Sequence, residues 1–174
     1  MLSGVLAKET ILEYIQLYPP LIEKFVDLNT QIQPNGFDLT LKSIQSLSGI
    51  AQLGKTNESR ILPETTELVL DNDDYYNIPP GSYIVTINEI VNLPNNIMCL
   101  AKPRSSLLRS GISVETAVWD AGYTGRSQCL LINTTNMPYR LQKNSRIIQM
   151  IFFFLDQRVQ EGYSGIYQNE NLSK

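Results

Sequence analysis

Asp120 is placed for proton-transfer chemistry, because it opens the turn Asp120-Ala-Gly-Tyr-Thr-Gly125 between two β-rich runs. Val114 to Trp119 and Ser127 to Ile132 mix β-branched and aromatic residues, which favour a pleated, half-buried backbone, so the stretch Ala117 to Asn133 predicts a hairpin with a carboxylate at its tip. Gly122 and Gly125 are free to take positive φ, which lets the chain reverse and lets backbone N–H groups approach a small ligand. A surface turn that uses Asp as an ordinary turn former has the same signature. Upstream, Lys102-Pro-Arg-Ser-Ser-Leu-Leu-Arg-Ser-Gly111 groups Arg104, Ser105, Ser106 and Arg109 within six positions. If Ser-Ser-Leu-Leu-Arg starts a helix, its free N–H groups and hydroxyls form an anion cradle charged by the arginines, suited to a polyphosphate. A capped short helix with solvated arginines is the alternative.

Composition removes whole classes of chemistry. The chain has no histidine, so a Ser-His-Asp or Cys-His nucleophile and most zinc sites are excluded. The zinc nucleobase deaminases go with them. Carboxylate, tyrosine, serine, Arg/Lys and an added metal remain. A net charge of −3 provides no bulk field to recruit nucleic acid or a membrane, so any anion site is local. The two cysteines, Cys99 and Cys129, have no metal-type spacing and follow no secretion signal. A reduced, cytoplasmic chain is expected, with both thiols acting as small buried hydrophobes in strand-like runs.

The elements that must position these groups read as mostly β. At 174 residues, 43% hydrophobic and 18% charged, the chain suits one soluble domain. Leu2, Val5, Ile11, Leu12, Ile15 and Leu17 have helical spacing until Pro19-Pro20, predicting a short N-terminal helix followed by a second turn at Leu21 to Phe25. No 18-residue apolar span occurs, so no membrane crossing is expected. Asp38-Leu-Thr-Leu-Lys42 alternates as a strand, and Asp38 at its start is a candidate turn or cap carboxylate. Ser43 to Lys55 reads as another strand and turn, and Thr56 to Arg60 as a solvated loop. Asp71 to Asn77 has three Asp in four positions, yet Tyr76 and Ser82 stand where a Ca²⁺ loop needs Gly and Glu, so a solvated turn is expected. Short strands at roughly ten-residue spacing describe a sandwich or barrel. Arg146 to Leu155 reads as a strand buried on both sides, with Gln149 its polar exception. From Asp156 the composition turns to Gln, Gly, Tyr, Ser and Asn, giving a domain at 1–155 and a flexible tail or lid at 156–174.

PRSSLLRSG, then WDAGYTGR, then NSRIIQMIF resemble, in order and spacing, the dUTPase and dCTP deaminase superfamily, and QIQPNGFDLTL adds a fourth match. IQP-x-x-x-DL and the tail's GYSGIYQ are similar to the deaminase and archaeal-type bifunctional branch. The resemblance runs from Gln31 to Gln168. It implies a distorted β-barrel or jelly-roll-like fold with a short N-terminal helix, assembled as a homotrimer with sites between subunits.

The branches differ at one position. Deaminases resemble G-x-I-x-L-E after the hairpin, and their glutamate shuttles protons to the cytosine ring; its place here is Leu130. No acid occurs between Asp120 and Asp156, and losing such a group removes ~10²–10⁴ in rate or more. The resemblance therefore implies dUTP hydrolysis to dUMP and pyrophosphate, with Asp120 orienting and deprotonating a water that attacks the α-phosphorus, and Mg²⁺ held by the triphosphate. Arg104, Ser105, Ser106 and Arg109 would form the phosphate site with Gln149. Tyr123 would lie against the deoxyribose and leave no room for a 2′-hydroxyl, beside Gly122, where common dUTPases carry Asp. Tyr163, Tyr167 and Gln168 would close the site. The tail resembles the deaminase type, with Ile166 where a basic residue is frequent. Asp38 would either organise the metal's water shell or brace its loop. The rival readings are a deaminase or bifunctional enzyme acting on dCTP, and a nucleotide-binding regulator without turnover.

Overall fold

The computed structural model describes residues 4–173, so Leu2 of the helix-spaced pattern lies outside the described residues. The helix itself spans Lys8–Ile15 and buries Ile11 completely against the core, while Tyr14 meets Phe154 edge-on at 6.0 Å. Most of the remaining elements are strands. A curled antiparallel sheet runs in the order Gly4–Val5, Arg146–Phe154, Gly36–Ser48, Gly81–Ile87, Gln128–Asn133 and Ile112–Glu115. Ile97–Pro103 pairs the other edge of Arg146–Phe154, and Ile32–Gln33 and Glu64–Glu67 flank Gly36–Ser48. A second sheet joins Thr124–Gly125, Ile90–Asn92 and Ile22–Glu23, and a third joins Tyr139–Gln142 to Tyr75–Ile78.

Two strands differ from their expected form. The alternation at Asp38 to Lys42 does not end there: Gly36–Ser48 is one strand, whose pairing with Gly81–Ile87 slips between Leu41 and Ser43. The slip resets the two-residue period and makes one strand read as two. In Arg146–Phe154, Ile148, Met150 and Phe152 are fully buried, whereas Gln149, Ile151 and Phe153 are half-buried. One face is completely covered rather than both. The acidic turn is structural: Asp71 accepts from the N–H groups of Asp73 and Tyr75 and pairs with Arg140 at 2.6 Å. Among the described residues no helix is long and apolar enough to cross a membrane.

A buried polar knot fixes the strand segment that carries Asp38. Glu89, wholly inaccessible, accepts from the Thr40 N–H at 2.9 Å, the Thr40 hydroxyl at 2.6 Å and the Gln31 side-chain amide at 2.6 Å. That amide also donates to the Asp38 carbonyl at 2.8 Å. Burial raises the Glu89 pKa and its donors oppose the rise. Every partner of this carboxylate helps hold the backbone of residues 38–40.

Candidate active site

The Asp120 turn is held by strands outside its own hairpin. The arms do pair, with Glu115 opposite Leu130 and Ser113 opposite Ile132, but the chain between them makes a wide excursion instead of a tight tip. Trp119 exchanges two backbone bonds with Cys99, at 2.9 and 3.2 Å, and Gly122 and Tyr123 do the same with Leu93, at 3.1 and 2.8 Å. These contacts pull the loop onto the neighbouring strands, which is why it is longer than its glycines predict. Gly122 takes φ 87°, the left-handed region that favours glycine. Gly125 does not; it is needed for closeness, because a Cβ there would lie 2.5 Å from the Tyr123 hydroxyl and 3.1 Å from the Glu170 side chain.

Asp120 is exposed at the wall of a cavity of about 540 Å³ lined by Trp119, Tyr123, Ser127, Ile84, Gln128 and Tyr163 among others. Its volume and mostly apolar wall suit a small organic ligand with few polar anchors. Tyr123 and Tyr163 meet edge-on at 5.8 Å. Four side chains form a hydrogen-bonded line along this wall: the Trp119 indole N–H to Ser127 Oγ at 2.6 Å, Ser127 Oγ to the Tyr123 hydroxyl at 2.8 Å, and that hydroxyl to Glu170 Oε1 at 2.8 Å. Burial raises the pKa of both Tyr123 and Glu170, and it pushes the Cys129 thiol up to about 12. Both cysteines are buried and free.

The anion candidates gather elsewhere. Ser105–Arg109 is the predicted short helix, anchored by buried Leu107, with Ser105, Ser106 and Arg109 exposed. Arg104 precedes it and turns back to Asp38, Nε to Oδ2 at 3.1 Å, where Arg146 Nη1 also arrives at 3.3 Å. Gln149 lies in register with Asp38 on one side and Lys102 on the other. Arg104, Asp38, Arg146 and Gln149 thus share one end of the sheet. Asp38 is nearly inaccessible; burial raises its pKa, and the two guanidiniums pull it back without cancelling the rise. None of Arg104, Ser105, Ser106, Arg109 or Gln149 lines the cavity beside Asp120. One chain carries the two halves apart.

The tail lies along the Asp120 loop. Tyr163 N–H donates to the Ala121 carbonyl at 2.8 Å, and Gly162 sits so close that a Cβ on Gly122 would lie 2.6 Å from its Cα. Gln168 grips the loop backbone at two points, its Oε1 accepting from Thr124 N–H at 3.0 Å and its Nε2 donating to the Gly122 carbonyl at 2.9 Å. Tyr167 lines the cavity and stacks under Arg60 at 5.9 Å. Trp119, Ser127 and Glu170 carried no signal as site residues: the first two lie in stretches that read only as strand, and Glu170 arrives on a tail more than forty positions along the chain. Arg146 lay inside a recognised motif but had no assigned role.

Leu130 is half-buried and lies in register between Glu115 and the cavity residue Ile84. Direct cross-strand neighbours share a face, so the acid nearest by register is Glu115, whose carboxylate accepts from the Ser113 hydroxyl.

The dCTP deaminase-like family matches residues 5–155. The chain is 48% identical over 167 residues to a probable deoxyuridine 5′-triphosphate nucleotidohydrolase of Methanosarcina acetivorans, covering 96% of this chain and 98% of that one. A protein of the same name from Archaeoglobus fulgidus is 44% identical over 169 residues, covering 97% and 98%. The crystal structure of 2′-deoxycytidine 5′-triphosphate deaminase from Agrobacterium tumefaciens shares the fold, with a TM-score of 0.68 and 24% identity over 87% of this chain. This chain spans about half the length of that one, with 48% covered. From the match through nearly all of the β domain and the full-length likeness to these archaeal proteins, the chain belongs to the dCTP deaminase-like family.

Proposed function

We propose that this protein is a cytoplasmic dUTP diphosphatase, cleaving dUTP to dUMP and pyrophosphate and so keeping uracil out of DNA. The observation that carries the reading is the exposed carboxylate of Asp120 at the wall of an apolar cavity of nucleoside size, with leucine at position 130. Asp120 holds and deprotonates one water for attack on the α-phosphorus, which needs only hydrogen-bond reach and an ionised carboxylate. Arg104, Arg109, Ser105, Ser106 and Gln149 bind the phosphates; their charge and position supply most of what phosphoryl transfer requires. Because they lie apart from the Asp120 cavity within one chain, a homotrimer that apposes the loop of one subunit to the phosphate residues of another completes the site.

The residues fit Mg²⁺ as a passenger on the triphosphate. Among the described residues no group of three acidic or cysteine side chains could hold a metal directly, and Asp38 is engaged by Arg104 and Arg146. Asp38 is therefore assigned to bracing Arg104. When bound, the ion spreads the phosphate charge and restricts the chain of phosphates to one geometry.

The test is release of pyrophosphate and of ammonia from dUTP and from dCTP with Mg²⁺. Pyrophosphate from dUTP without ammonia from dCTP is the expected result. Ammonia from dCTP that disappears in Glu115→Gln would move the reading to a deaminase whose acid has crossed one strand.

A further inference from the structure

We propose that Glu170, in the tail, is a positioning residue that fixes Tyr123 against the sugar and thereby sets the discrimination between deoxyribose and ribose; this rests on the dUTP reading. An indole N–H only donates, so Trp119 occupies a lone pair of Ser127 Oγ. An ionised carboxylate only accepts, so the Tyr123 hydroxyl must give its single hydrogen to Glu170. Ser127 is then left to donate its own hydrogen to the Tyr123 oxygen. The line acquires one direction, Trp119 to Ser127 to Tyr123 to Glu170, and Glu170 is its sink. Without that acceptor the two hydroxyls can reverse, and the phenol loses its anchor on the tail side.

Packing points the same way. Gly125 leaves room for both the Tyr123 phenol and the Glu170 stem, which meet where a Cβ would otherwise stand. The Glu170 backbone is fixed independently: its carbonyl accepts from Arg126 N–H at 3.0 Å, and the adjacent Asn169 N–H donates to the Thr124 carbonyl at 2.8 Å. The side chain is thus free of the task of holding the tail and available for Tyr123. A phenol held at one end by Ser127 and Glu170 and on its ring by Tyr163 has little room to yield to an extra hydroxyl on the substrate.

The test uses the full chain and its single tryptophan, Trp119, as a reporter that does not depend on turnover. Glu170→Ala is expected to raise KM for dUTP about 10- to 100-fold, the loss of one charge-assisted hydrogen bond, with a smaller change in kcat. It should also narrow the preference for dUTP over UTP roughly tenfold on the same scale and shift the Trp119 emission. Glu170→Gln, which keeps an accepting oxygen, should restore both. In a Tyr123→Phe background, Glu170→Ala should add almost nothing, because its partner is gone. An equal loss in both backgrounds, or an unchanged dUTP to UTP ratio, would overturn the proposal and leave Glu170 as a tail anchor. Failure of the wild type to hydrolyse dUTP would instead count against the functional reading, and the emission of the Glu170 variants would still report on the hydrogen-bonded line.

Discussion

Asp120→Asn is expected to lower the rate of pyrophosphate release from dUTP by ~10²–10⁴-fold or more, with nucleotide binding largely kept. The substitution preserves size and turn-forming ability, and the loop's anchors at Cys99 and Leu93 are backbone bonds that the side chain does not make. What it removes is the capacity to take a proton from water. The exposed position favours a clean outcome, since no buried partner is orphaned. Single-turnover rates and dUTP titrations of Trp119 emission would separate the two effects. A variant that turns over at more than about a tenth of the wild-type rate would remove Asp120 from the role of base.

The second large effect is expected from Gly122→Val, which should expel the tail. At φ 87° a β-branched residue is strained, by roughly 1–3 kcal/mol, and its Cβ would stand 2.6 Å from Gly162 Cα and 2.9 Å from the Tyr163 nitrogen. Those neighbours are backbone and cannot swing aside. The tail must lift, losing the Gln168 and Tyr163 bonds to the loop, so KM for dUTP should rise by about two orders of magnitude if strain and lost bonds total about 3 kcal/mol. Chymotrypsin should then cut readily after Tyr163 and Tyr167. Gly49→Val is the control: φ is 80° there too, but nothing lies within 4 Å of the added Cβ, so its strain stays local and the tail stays protected. Equal protection of the tail in Gly122→Val would show that the close contact with Gly162 is not what seats it.

The sequence carried the class of fold because strand alternation, apolar runs and turn residues are local signals. Asp38 to Lys42 and nearly all of the run from Arg146 fall within strands. It missed the continuity of Gly36–Ser48, since a register slip breaks the period on which the reading depends. The Ser105–Arg109 helix was legible as a conditional reading of Ser-Ser-Leu-Leu-Arg, and the Asp120 turn from its glycines. The partners of those residues were not. Arg104 and Asp38 are 66 positions apart, Arg146 and Asp38 108 apart, and nothing in either neighbourhood announces the pair. Glu89 reads as an ordinary strand-end acid until its three donors are seen to converge on it. The tail's polar composition points away from a core of its own, but a segment that cannot fold alone can still fold onto something.

What it folds onto is a free strand edge. Thr124–Gly125 lies at the end of its three-stranded sheet, where unpaired backbone groups would invite another chain. The tail takes them in succession: Gln168 the Gly122 carbonyl and the Thr124 N–H, Asn169 the Thr124 carbonyl, Glu170 the Arg126 N–H, and Asn171 the Arg126 carbonyl. Of these only Glu170 also borders the cavity, so one short segment both walls the cavity and covers an edge that would otherwise offer its backbone to another chain. Removing the tail takes away the part of the cavity wall made by Tyr163, Tyr167 and Glu170 and uncovers a sticky edge at once, so a truncated chain that loses ligand binding by clumping would mimic one that loses it by an open cavity.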